Sequence, residues 1–112
     1  MSYSGGMGRW QKRNPGLPRE ERTRATAKGR ALFEQLARER TWLLTVAFDE
    51  PDYFECVVQP GNPGLAGALN LCSAGGRLGW WTDADGREWF DVNDPEASRA
   101  FARSIDTWLA AA

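Results

Sequence analysis

Apolar and polar positions repeat with a helical period in two separate segments of the chain. The first predicted helix begins at Pro18 and runs to about Arg40, with Glu20-Glu21 near the positive end of the helix dipole. Its apolar stripe is regular only beyond Gly29, so we expect the first half to be frayed and the second half to be docked. The second predicted helix begins near Pro95, and its apolar stripe consists of Ala97, Phe101, Ile105, Trp108 and Leu109.

Between these helices, short apolar segments alternate with turn residues, which is typical of strands. Gly75-Gly76 and Asp85-Gly86 are each expected to form a two-residue hairpin turn, because these residues adopt the positive φ angles that such turns require. Consecutive strands joined by tight turns run antiparallel. The sequence therefore predicts an α+β fold of order α-β-β-β-β-β-α, a five-stranded antiparallel meander flanked by N-terminal and C-terminal helices. The predicted strands are Trp42–Phe48, Tyr53–Gln59, Ala68–Ala74, Leu78–Asp83 and Arg87–Val92.

The two glycine turns also predict which side chains share a face of the sheet, because side chains alternate along a strand. Two-residue loops place Asn70 opposite Trp81, Trp81 opposite Phe90, and Asp83 opposite Glu88. We expect the helices to cover the other face, which collects Leu69, Leu71, Leu78, Trp80 and Trp89.

The face left over combines aromatic side chains with an amide and two acids, a composition found at protein-binding hot spots. A plainer interpretation stays open, in which Trp81 and Phe90 form a covered cross-strand pair and the acids are solvated charges near a turn. The candidate partner-binding residues are Asn70, Trp81, Asp83, Glu88 and Phe90.

Charge divides the chain unevenly. The net charge of the 112 residues is −1, but residues 1–30 carry +6 and residues 31–112 carry −7. Residues 1–18 are rich in glycine and show no periodicity, so they are predicted to be a flexible basic arm. Residues 19–112 are predicted to form a single α+β domain, since the length suits one core.

The basic arm offers an alternative function. Its cations could neutralise phosphates while its tryptophan stacks on a base, so nucleic-acid binding is physically coherent. A solubilising tail and an arm folded onto the acidic domain are the competing interpretations. The residues concerned are Arg9, Trp10, Lys12 and Arg13.

The composition argues against familiar chemistry. The chain has no histidine, which removes the commonest general base and the commonest metal ligand. Cys56 and Cys72 alone do not make a zinc site, and no phosphate-binding glycine motif occurs. Carboxylate pairs such as Asp52 with Glu55 are expected by chance among 15 acids. We therefore expect no catalytic site, no metal and no cofactor.

The expected location is the cytoplasm. The first residues do not resemble a signal peptide, and no apolar run approaches the roughly 18 residues that a membrane helix needs. The two cysteines are then expected to be reduced core residues rather than a disulfide.

Four segments carry a family resemblance. With the order of the elements established, the chain resembles the immunity proteins of bacterial polymorphic toxin systems, in particular those paired with deaminase toxins. The resemblance covers roughly residues 32–110, and the basic arm departs from the family pattern. It implies a non-enzymatic inhibitor that occupies a toxin's active-site cleft with an acidic surface. A phage or secretion-system assembly component is a further alternative. The segments are Trp42-Leu43-Leu44-Thr45-Val46, Leu69-Asn70-Leu71, Leu78-Gly79-Trp80-Trp81-Thr82-Asp83, and the final helix through Phe101 and Trp108.

Overall fold

A computed structural model describes residues 16–59, 68–83, 86 and 89–111 of the chain. Five strands form one antiparallel sheet in the order β1-β2-β3-β4-β5, with one helix before it and one after it. The predicted α+β order is confirmed. The elements are α1 (Arg19–Arg40), β1 (Leu43–Glu50), β2 (Tyr53–Gln59), β3 (Leu69–Ala74), β4 (Arg77–Trp81), β5 (Phe90–Asp91) and α2 (Pro95–Ala110).

Helix α1 is continuous from its first turn and docks on the sheet along most of its length. It ends at Thr41, whose left-handed backbone (φ 56°) lets its N–H reach the carbonyl of Ala37. The expected fraying of the first half is wrong, because Ala25 and Thr26 are already buried. Gly29 explains the docking, since a Cβ atom there would overlap the side chain of Ser73 in β3. Close backbone approach thus replaces the missing apolar stripe.

Helix α2 begins where the sequence predicts. The Asp94 side chain accepts a 2.9 Å hydrogen bond from the N–H of Glu96, which satisfies one of the free donors of the first turn. The apolar stripe of α2 faces the sheet, and the C-terminal half of α2 is tied to α1. Arg40 of α1 donates two hydrogen bonds to the carboxylate of Asp106, at 2.7 and 2.8 Å.

The hairpin at Gly75-Gly76 is confirmed. Both glycines have positive φ angles, 61° and 91°, and the strands pair with Asn70 opposite Trp81, as the two-residue loop predicts. The β1–β2 pair contains a bulge between Val46 and Phe48, so side chains of β1 change face there.

The hairpin predicted at Asp85-Gly86 is wrong. Phe90 lies opposite Leu78, three residues from the predicted partner Trp81, which instead forms an isolated bridge with Gly86. A shift by an odd number of residues exchanges the two faces of a strand. Phe90 therefore joins the helix-covered side, where its ring packs edge-on against Phe101 of α2 at 5.7 Å. Burial against α2 outweighs the local turn preference.

The main core lies between the sheet and the two helices. Phe33 of α1 is at its centre, 6.3 Å from the Phe54 ring and 5.7 Å from the Phe101 ring. The predicted covered face is confirmed for its β3 and β4 members, and Trp89 is the exception. The core consists of Phe33, Leu36, Phe54, Cys56, Val58, Leu69, Leu71, Leu78, Trp80, Phe101, Ile105 and Trp108.

Candidate functional site

The side of the sheet turned away from α1 and α2 is called the open face here. It is defined by the residues of β2, β3 and β4 that alternate with the core residues, and its central pair is Asn70 and Trp81. Its members on these three strands are Tyr53, Glu55, Val57, Gln59, Asn70, Cys72, Ala74, Arg77, Gly79 and Trp81.

The structure places two of the five candidate partner-binding residues, Asn70 and Trp81, on this face, while Asp83 lies beyond the end of β4. Asn70 and Trp81 are opposite each other and half-buried, and Asp83 is exposed two residues beyond Trp81. The Asn70 amide donates to the carbonyls of Ala68 and Trp81, at 3.2 and 3.3 Å, which fixes its orientation. Phe90 does not belong to this group, because the changed register turns it toward α2. Glu88 lies outside the described residues.

Trp89 takes the place that was expected for Phe90. Its ring covers Gly79, where a Cβ atom would approach a ring carbon to 2.7 Å, and it packs with the buried open-face residues. The sequence does contain a signal for this contact, since a glycine inside a strand often marks the close approach of a large neighbour. Half-buried Trp81 and Trp89 thus both border the open face.

A buried polar cluster lies beneath these tryptophans. The Tyr53 hydroxyl donates a 2.6 Å hydrogen bond to Oε1 of Glu55, and Cys72 lies opposite Glu55 on the neighbouring strand. Burial raises the pKa of Tyr53 and of Cys72 well above their ordinary values. The phenol and the thiol therefore stay protonated at neutral pH. Tyr53 and Cys72 are each 1% exposed, so the cluster is closed to solvent at these two groups and forms the floor beneath Trp81 and Trp89.

The edge strand β1 carries a second surface feature, which the sequence analysis missed. The large hydrophobic side chains that are exposed in the described chain all lie on β1: Leu43 at 66%, Val46 at 50% and Phe48 at 37%. The Phe48 ring contacts Tyr53 edge-on at 6.2 Å, so β1 adjoins the open face. The predicted topology could have indicated this exposure, because the first strand of a meander lies at an edge of the sheet.

Ion pairs join the basic helix α1 to acidic groups of the rest of the fold. Arg22 lies 3.6 Å from Asp52, and Arg30 lies 3.2 Å from Asp49. The division of the chain into a basic segment, 1–30, and an acidic segment, 31–112, therefore falls inside α1, which belongs to the fold. Residues 1–18 carry three basic and no acidic side chains, so residues 19–112 have a net charge of −4. The basic residues proposed for nucleic-acid binding, Arg9, Trp10, Lys12 and Arg13, lie outside the described residues.

Two further properties hold for the part of the chain that the structure describes. No group of three or more His, Cys, Asp or Glu side chains there could hold a metal ion. Neither described helix is both long and apolar enough to cross a membrane.

Comparisons with protein-family models, with curated protein sequences and with solved structures each found no match.

Proposed function

We propose that the chain is a non-enzymatic protein-binding protein that inhibits a toxin or an enzyme in the cytoplasm by covering it with the open face. The observation that carries this proposal is the position of Trp81, half-buried opposite Asn70 on the side that the helices leave uncovered, with exposed Asp83 two residues further along the chain. A tryptophan ringed by polar groups is the composition of a binding hot spot.

The floor beneath Trp81 supports this role. Tyr53, Cys72 and Ala74 are at most 1% exposed and form one cluster against which Trp81 and Trp89 pack. A tryptophan held on a rigid base loses little side-chain entropy when a partner covers it, so more of the contact energy remains as affinity.

Charge favours a basic partner. Residues 19–112 have a net charge of −4, and Asp83, two residues beyond Trp81, is exposed. The attraction between an acidic and a basic surface speeds association, and salt shortens the range of this attraction. The resemblance to polymorphic-toxin immunity proteins implies a partner of this kind, since a toxin that acts on nucleic acid needs a basic cleft.

The test screens the proteins encoded by the genes adjacent to this one for binding, and with a protein that binds it compares Trp81→Ala with Trp42→Ala. Trp42 is a half-buried tryptophan that packs against the helix-side core, so it controls for the loss of an indole elsewhere. We expect Trp81→Ala to raise the Kd at least about 30-fold, as removal of a hot-spot residue costs about 2 kcal/mol. An unchanged Kd, or a partner complex weakened equally by Trp42→Ala, would contradict the proposal.

The charge contribution is tested by Asp83→Asn against Glu96→Gln, which removes the same charge from an exposed position on α2. Asp83→Asn should slow association at low salt, and the difference from the wild type should shrink as salt screens the charges. Equal effects of the two substitutions would mean that only net charge matters and that the open face is not the contact surface.

A further inference from the structure

The side chain of Asn70 is held in one orientation beside Trp81. Its Nδ2 group donates to the carbonyl of Trp81 on the opposite strand and to the carbonyl of Ala68, at 3.3 and 3.2 Å. These two bonds use both hydrogens of the amide and leave its oxygen, Oδ1, as an acceptor. Among the described residues no donor reaches Asn70 Oδ1. The open face therefore presents one oriented acceptor next to an indole.

The indole of Trp81 is a second group without a partner in the described part of the chain. Two other rings there carry an arginine: Arg30 lies 4.7 Å from the centre of the Phe54 ring, and Arg40 lies 5.6 Å from the centre of the Trp42 ring. Trp81 has no cation and no aromatic ring against it within the same residues. It is half-buried on the floor of the open face, so the ring is supported from below and partly exposed.

The charges around Trp81 favour a positive ligand. Asp83 is exposed, lies two residues beyond Trp81 and makes no ion pair with any described residue. Arg77 is the cation that β4 contributes to the open face, and it lies four residues from Trp81, about 13 Å along the strand. Residues 19–112 carry a net charge of −4. A cation that reaches Trp81 from a partner therefore meets a negative field.

We propose that this pair binds an arginine side chain of the protein partner, with the guanidinium flat on the Trp81 ring and one N–H donating to Asn70 Oδ1. Directly opposite residues on one face of a sheet have Cβ atoms about 5 Å apart, so one guanidinium can reach both.

A guanidinium suits this site better than an ammonium. Its faces stack on an aromatic ring, while its N–H donors lie in its own plane and stay free for a hydrogen bond at the edge. A lysine ammonium is a compact, strongly hydrated charge without a flat face. This arginine site rests on the proposed function and deepens it, since it names the group that the partner brings to the open face.

The test is selection of a displayed library of random peptides on the full chain, which serves as the probe whether or not the natural partner is known. The same library is selected on Trp81→Leu, which removes the aromatic ring, and on Asn70→Leu, which removes the acceptor. Gln59→Leu is the matched control, because Gln59 is an exposed amide of the same face on β2, two strands away from Trp81.

We expect the peptides selected on the wild type to share an arginine at one position, enriched over lysine there. The enrichment should be lost on Trp81→Leu and on Asn70→Leu and kept on Gln59→Leu. Replacing that arginine by citrulline, which is planar and similar in shape but neutral, should raise the Kd at least about tenfold in fluorescence anisotropy. Citrulline changes only the peptide, so this comparison holds even where a substitution lowers the stability of the protein.

Several results would overturn the arginine site. These are selected peptides without an enriched arginine, enrichment that persists on Trp81→Leu, enrichment that Gln59→Leu abolishes as completely, and a Kd that citrulline leaves unchanged. The proposed function fails by a different result, namely that no protein encoded by the adjacent genes binds in a manner that depends on Trp81. A natural partner that requires Trp81 but tolerates replacement of each of its arginines by lysine would overturn the arginine site alone.

Discussion

Trp80 and Trp81 are neighbours on β4, yet the sheet places them in opposite environments. Trp80 is 1% exposed, packs at a tilt against Trp108 with ring centroids 5.9 Å apart, and donates a 2.8 Å hydrogen bond to Ser104 of α2. Trp81 is half-buried on the open face, above the smaller cluster of Tyr53 and its neighbours. The same residue type therefore has two roles: Trp80 stabilises the fold on the covered face, and Trp81 is partly exposed to a partner on the open face.

The difference predicts very unequal costs of truncation. Trp80→Ala should lower the free energy of unfolding by about 3–5 kcal/mol, because it leaves a cavity and removes the hydrogen bond to Ser104. Trp81→Ala should cost less than about half of that, since part of its surface is already in water.

Chemical denaturation of both variants measures the two costs. Comparable losses of stability would mean that the cluster beneath Trp81 is as important for folding as the main core. The open face would then lose its status as a binding surface with a separable role.

Two glycines extend the comparison of the two faces of the sheet. Gly29 packs against the covered face and Gly79 against a side chain of the open face, and each leaves little room for a Cβ atom. A Cβ at Gly29 meets the Ser73 side chain and approaches Leu78 to 3.0 Å, whereas the atoms nearest to a Cβ at Gly79 are ring atoms of Trp89. We expect Gly29→Ala to destabilise the protein by about 1–2 kcal/mol despite the roughly 1 kcal/mol that alanine contributes to a helix. Gly79→Ala should cost less than about 1 kcal/mol, because the half-buried Trp89 ring shifts aside.

Thermal unfolding ranks the two variants, and near-ultraviolet circular dichroism reports the displaced Trp89. Adding Ser73→Gly to Gly29→Ala should recover part of the lost stability, since it removes the atoms that overlap. A lack of recovery would show that the helix is not held at this distance by the glycine.

The same comparison shows how far the sequence could be interpreted. The turn at Gly75-Gly76 is local, because two residues with positive φ determine its geometry, and the Asn70–Trp81 pairing followed directly. The pairing of β5 is not local, since it depends on the burial of Phe90 against α2. Sequence periodicity does not show whether a local turn preference or burial against a helix distant in sequence contributes more free energy. The prediction therefore placed Trp89 and Phe90 on the wrong faces.

The reaction rates of the two cysteines report whether the two faces of the sheet unfold together or separately. Cys56 lies in the main core and burial raises its pKa to about 12, while burial raises the pKa of Cys72 on the open face. Both thiols should be unreactive toward a disulfide reagent at pH 8 in the native state, because the thiolate is the nucleophile. In mild denaturant Cys72 should react first if the open face unfolds before the helix-covered face.

Cys56→Ala and Cys72→Ala assign each rate to one thiol. Equal rates at every denaturant concentration would indicate that the two faces open in a single global step. A rapid reaction of Cys72 without denaturant would mean that the floor of the open face is accessible.

The smallest expected effect concerns the charges that join α1 and α2 at the margin of the covered face. The hydrogen bonds from Arg40 hold the pKa of Asp106 below its ordinary value. A carboxyl with a lowered folded-state pKa contributes stability above its unfolded pKa of about 3.9 and loses it as the pH falls through the folded value. Asp106→Asn should therefore destabilise the protein slightly at pH 7, and the difference from the wild type should disappear in acid.

Stability measured from pH 7 to pH 2 in a double-mutant cycle with Arg40→Gln isolates the pair. In the Arg40→Gln background, Asp106→Asn should have little effect at any pH, because the carboxylate has lost the donor that lowers its pKa. The effect should also be well below that of Trp80→Ala, because the Asp106 side chain is 46% exposed and solvent screens the interaction. A loss as large as that of Trp80→Ala would mean that this ion pair, rather than apolar burial, joins the helices over the covered face.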